Sequence, residues 1–149
     1  MTLSEKVNSD LKDAMKRGDR TTLETLRLIR AHLIELSKRG TGKEITPDEE
    51  LSVLTGAIKK RKEAIEMYEK GGRKDLADQE RRELDIITTY LPKQMSREEA
   101  EAVVQRIIGE TGASLAKDFG KVMPLAMKEL KGRIDGKAVQ EIVKAKLGA

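Results

Sequence analysis

A chain of 149 residues is long enough for one modest domain or two small ones. With no cysteine and a single histidine, it has no disulfides, thiol catalysis, thiolate zinc sites or two-histidine metal sites. Aromatic residues make up only 2% and prolines number three, while Leu, Glu, Lys and Arg abound, a composition that favours an all-α protein.

Capping signals divide the chain into helices. Thr2-Leu-Ser-Glu5 is a capping box that opens a first helix with Leu3, Val7, Leu11 and Met15 on one face. Arg17-Gly18-Asp19 ends it, and Thr21-Thr-Leu-Glu24 is a candidate cap for the second helix. Leu26, Ile29, Leu33 and Leu36 recur at helical spacing there, until Gly40-Thr-Gly42 stops the run. Thr46-Pro47-Asp48-Glu49 combines an N-cap, a proline at the first helical position and a glutamate at the third. The helix it opens carries Leu51, Leu54, Ile58 and Ile65 inward as far as Tyr68 or beyond. Gly71-Gly72 breaks it, and a fourth helix with Leu76, Leu84, Ile87 and Tyr90 runs to Leu91-Pro92.

Ser96-Arg-Glu-Glu99 caps a fifth helix bearing Val103, Val104, Ile107 and Ile108, closed by Gly109 and Gly112. Two more helices follow at roughly 117–131 and 136–147, the last capped by Asp135. The expected architecture is therefore two helical subdomains. Four helices fill residues 1–92 and a smaller three-helix bundle fills residues 93–149.

The N-terminus, MTLSEKVNSD, has no apolar leader core, and no apolar run approaches the roughly 20 residues of a membrane span. The expectation is a soluble, cytoplasmic protein with no membrane partner. Net charge is +4, split as +1 over residues 1–92 and +3 over the remainder.

Most catalytic signatures are excluded by the residues present. His32 stands alone in a leucine-rich helix and reads as structural; no serine lies in a G-x-S-x-G setting. Gly40-Thr-Gly-Lys43 resembles the tail of a P-loop, but Glu44 follows the lysine and Ser37 replaces the first glycine. Asp118-Phe-Gly120 spells the kinase metal triplet without any other kinase element. Glu63/Glu66 and Glu80/Glu83, interleaved with Lys62, Arg81 and Arg82, read as surface ion-pair partners. No catalytic residue, cofactor or metal is expected.

One surface survives. Lys117, Lys121, Lys128 and Lys131 fall within roughly 80° on the sixth helix, opposite Phe119, Val122, Met123, Ala126 and Leu130. Arg133, Lys137 and Lys144 extend the basic set through a Gly132/Gly136 turn into the last helix. Cations at this spacing neutralise phosphates. Almost no stacking aromatic accompanies them, so backbone and shape recognition of a folded RNA fits better than base reading. On residue chemistry alone, a merely solvated face is the favoured reading.

Several stretches align in order with one family. They are Leu26-Arg27-Leu-Ile, Lys60-Arg-Lys-Glu-Ala-Ile-Glu-Met-Tyr68, Gly72-Arg-Lys-Asp-Leu-Ala-Asp-Gln-Glu80, and Glu83-Leu84 with Tyr90-Leu-Pro92. Gly120-Lys-Val-Met123, Lys131-Gly-Arg133, Asp135-Gly-Lys137, Val143-Lys144 and Leu147 complete the series. Over nearly its whole length the chain resembles the YqeY-like proteins of the GatB/YqeY group. Relatives of that group include the C-terminal tail of the GatB component of the Glu-tRNA(Gln)/Asp-tRNA(Asn) amidotransferase.

The resemblance implies an all-helical fold in two subdomains and, in the tail, a tRNA-contacting module. It also brings a family label, carbon–nitrogen ligase with glutamine as amide donor. The glutaminase and kinase-like sites of the amidotransferase belong to other chains and domains and have no counterpart here. Pro124 departs from the family pattern, which has a small residue there, and a proline inside the sixth helix should kink it.

The leading expectation is a non-enzymatic module binding tRNA or another structured RNA through Lys117, Lys121, Lys128, Lys131, Arg133, Lys137 and Lys144. A role in glutamine-dependent tRNA amidation, with an amidotransferase partner, is the alternative. Protein–protein docking, through apolar positions such as Met67, is a second.

Overall fold

The computed structural model describes residues 1–38 and 44–148. Gly40-Thr-Gly42 and the P-loop-like Gly40–Lys43 lie outside them. The protein is all-α: seven α-helices and one 3₁₀ turn, with no strand among the described residues. Contacts divide the chain into two compact units, Met1–Leu91 and Pro92–Ala149.

The first unit contains α1 (Leu3–Arg17), α2 (Arg20–Ser37), α3 (Pro47–Lys70) and α4 (Lys74–Thr88). The Thr2/Glu5 and Thr46/Glu49 capping boxes both form, each pairing two backbone donors that the first helical turn leaves without partners. Thr21 does not cap α2. Asp19 does, accepting from the Thr22 amide at 3.2 Å, because the left-handed Gly18 ends α1 early enough to leave Asp19 at the next helix start.

Val7, Leu11, Leu26, Ile29, Leu33, Leu54 and Ile87 form the core of this unit. Burying such side chains is worth about 1.5–3 kcal/mol each relative to exposure. Met15, expected inward, is 61% exposed, and Ala14 takes the buried place on α1. Tyr90 lies just beyond the end of α4 rather than within it, half-buried against this core. The Leu3 amide donates to the Glu50 carboxylate at 2.6 Å and so ties the start of α1 to α3.

The second unit packs α5 (Arg97–Thr111), a 3₁₀ turn (Ala116–Asp118), α6 (Phe119–Leu130) and α7 (Gly136–Leu147). Its core is aliphatic, built from Val104, Ile107, Val122, Leu130, Val139, Ile142 and Val143, with Phe119 packed at its edge. Ser96 and Glu99 form the capping box of α5, and Asp135 caps α7. The sixth helix is shorter than its expected span. Lys117 falls in the 3₁₀ turn and Lys131 is the C-cap residue, so neither obeys the α-helical wheel. Pro124 sits inside α6, which continues through it. The carbonyl four residues earlier belongs to exposed Gly120, so water can replace the bond that proline cannot donate.

Candidate nucleic-acid interface

The α6–α7 hairpin displays the basic residues. Lys121 and Lys128 lie seven residues apart on α6, and Lys137 and Lys144 lie seven apart on α7, so each pair lines one face of its helix. All four are exposed, as is Lys117, whereas Lys131 and Arg133 are half-buried. Lys144 Nζ sits 6.0 Å from the centroid of the Phe119 ring, which brings the end of α7 to the start of α6. The attraction of an ammonium for an aromatic face holds the side chain there without neutralising it.

Four glutamates of this unit pair with arginines instead. Arg97 is paired with Glu101 and Glu141, each at 3.5 Å. Arg106 is paired with Glu110 at 3.0 Å and with Glu129. Lys117, Lys121, Lys128, Lys137 and Lys144 form no ion pair among the described residues. The arginines therefore carry the internal electrostatics, and the lysine charges remain on the surface.

The turn between the helices is more structural than its sequence suggests. Gly132 is buried with φ of 77°, a left-handed conformation suited to glycine. Its carbonyl accepts from the Gln94 side-chain amide at 2.7 Å. The Met95 amide donates to the Arg133 carbonyl at 2.7 Å, and Arg133 Nε donates to the Lys93 carbonyl at 3.2 Å. Residues 93–95 are thus bound to the turn, and exposed Lys93 joins the basic residues around it. No helical pattern marks this segment, so spacing along helices cannot identify Lys93 as part of the surface.

Asp118 has a structural role of its own. Its carboxylate accepts from the amides of Ser114 and Leu115 at 3.1 and 3.2 Å, closing the loop before the 3₁₀ turn. Those two backbone donors, followed by the charges of Lys117 and Lys121, hold its carboxyl below its ordinary value. The kinase-like triplet therefore caps a turn.

In the first unit, Glu80 and Glu83 do not behave as simple surface ion-pair partners. Burial pushes the Glu83 carboxyl up, and the Glu80 charge adds to this against the pull of Arg61. His32, expected to be structural, is exposed and lines a cleft between α2 and α3. Met67 is 73% exposed. Among the described residues no cluster of three metal-ligating side chains occurs, and no helix is long and apolar enough to cross a membrane.

Comparison with known proteins covers the length of both units. The chain is 35% identical to "Altered inheritance of mitochondria protein 41, mitochondrial" of Pyrenophora tritici-repentis, over 95% of this chain and 81% of that protein. It is 33% identical to "Uncharacterized protein C22F3.15" of Schizosaccharomyces pombe, over 60% of this chain and 72% of that one. The first relative overturns the expectation of a cytoplasmic location, since its name places it in mitochondria. The model of the YqeY-like protein family matches residues 4–147, and the chain belongs to that family.

Proposed function

We propose that this YqeY-family protein is a helical adaptor that binds tRNA or another structured RNA through the α6–α7 face, without a catalytic site of its own. The observation that carries this reading is the division of labour in the second unit. Arg97 and Arg106 are each tied to two carboxylates, while five lysines on or beside α6 and α7 form no ion pair among the described residues. Exposed ammonium groups that form no ion pair among the described residues suit the displacement of counterions from phosphates.

Lys121, Lys128, Lys137 and Lys144 make the main phosphate contacts. Lys117 and Lys93 flank them, and Lys131 and Arg133 stand at the turn. Because Arg133 also holds Lys93, it positions the surface as well as contributing charge. The scarcity of aromatics favours recognition of RNA shape and backbone over base identity.

The test is gel-shift or filter binding of folded tRNA to the native chain and to the Lys121→Glu/Lys128→Glu/Lys137→Glu variant. Saturable binding by the native chain, lost in the variant, supports the reading. Equal binding by both, or none by the native chain, rejects it.

A further inference from the structure

The first unit contains an open cleft between α2 and α3. One cavity in it, about 310 Å³, is walled by Leu28, Val53 and Ala57 and ends at Lys60 and Arg61. It shares His32, Ser52 and Val53 with a neighbouring cavity of about 380 Å³ that is lined at its other end by Glu35 and Glu49. Along α3 the cleft spans Glu49 to Lys60, roughly 17 Å at the helical rise. It is mostly apolar, with acid at one end and base at the other.

Two features within it lack an internal explanation. Arg61 is only 8% exposed; its Nη1 donates to the Ala57 carbonyl at 3.2 Å, but its buried Nε has no partner among the described residues. The charge of Glu83 is felt by Arg61, yet no ion pair joins the two. A buried donor left unpaired is costly, and in native proteins such groups are rare. The second feature is Gly56, deep inside α3, where glycine weakens a helix relative to alanine. A Cβ there would meet no atom within 4 Å, so packing inside the chain does not require the glycine. Its effect is to keep the cleft open.

We propose that the α2–α3 cleft binds a small amphiphile, an alkyl chain bearing one carboxylate or phosphate group. The chain lies along Leu28, Val53 and Gly56, and the anionic oxygens meet Arg61 and Lys60. Glu35, at the opposite end, repels the head group and fixes the orientation. A carboxylate and a phosphate monoester offer the same acceptor oxygens, and the cavity volume falls in the range of small-molecule sites.

The test titrates the full chain with octanoate, octyl phosphate and uncharged octanol, each below its aggregation concentration, by calorimetry and by NMR of the arginine Nε–H signals. At least one anion should bind saturably and shift the Arg61 Nε–H resonance, with octanol weaker by about tenfold or more. Which anion binds more tightly separates the carboxylate source from the phosphate source. Because truncating buried Arg61 risks unfolding, Gly56→Leu is the diagnostic variant. It should stay folded, with Tm equal to or above native, yet lose about tenfold or more in affinity as its side chain fills the cleft. Saturation by neither anion, octanol binding as tightly as the anions, or native-like affinity in folded Gly56→Leu would each overturn the proposal.

Discussion

The hydroxyl of Tyr90 donates to the carboxylate of Asp10 at 2.5 Å, joining residues 80 positions apart in sequence. Burial alone would favour the neutral form of Asp10. The hydrogen bonds from Tyr90 and Lys6, with the charges of Lys6 and Arg17, outweigh it and hold the carboxyl below its ordinary 3.8. For Tyr90, burial and then the Asp10 bond and charge push the phenol up, well beyond its ordinary range. Tyr90→Phe should destabilise the protein by about 1–2 kcal/mol at neutral pH. A depressed folded pKa contributes stability above the unfolded pKa and loses it as pH falls through the folded value. The difference between native and Tyr90→Phe, measured by urea unfolding, should therefore shrink below pH 3.8.

The basic face predicts a particular salt dependence. Each lysine that contacts a phosphate adds about 0.7–0.9 to the magnitude of the slope of log affinity against log salt. Replacing Lys121, Lys128 or Lys137 singly with alanine should flatten that slope by about one contact each. Arg97→Ala and Arg106→Ala should leave it unchanged, because those charges are neutralised within the unit. Equal slopes for native and lysine variants would remove these residues from the interface.

At the turn, Gly132→Ala places a Cβ on a buried residue with φ of 77°. The left-handed conformation costs an L-residue about 1–2 kcal/mol, and any rotation to relieve it disturbs the carbonyl that Gln94 grips. Thermal unfolding should show a lowered midpoint. Gln94→Ala should reproduce part of that loss.

The capping box of α5 is a smaller, separable contribution. Ser96 accepts from the Glu99 amide at 3.2 Å, and the Glu99 carboxylate accepts from the Ser96 amide at 3.3 Å. Ser96→Ala should cost about 1 kcal/mol in chemical denaturation, whereas Ser96→Asp should retain most of the stability.

Local chemistry makes much of this fold legible. Thr2/Glu5, Thr46/Glu49 and Ser96/Glu99 can be read as helix starts because both halves of each capping box lie within four residues. Asp19 is obscured by the neighbouring threonines, since several residues there can accept the same amide. The limits of α6 are hidden for another reason. Lys117 and Lys131 continue the helical charge spacing, but the fold places a 3₁₀ turn before Phe119 and a tight turn after Leu130. The basic residues themselves are visible as a charge pattern. What no spacing can show is their company: which cations are neutralised, that Arg133 holds Lys93, and that Arg61 is buried beside an open cleft. Those facts depend on residues far apart in sequence.

The contact between Lys144 and Phe119 also has a spectroscopic consequence. Phe119 is the only aromatic residue in the second unit, both tyrosines lie in the first, and the chain has no tryptophan. Tyrosine emission therefore reports on the first unit, leaving the second almost silent in the near ultraviolet. A single fluorine label on the Phe119 ring would give that unit its own signal. Because the ring lies under Lys144, the resonance would register electrostatic changes on the hairpin surface.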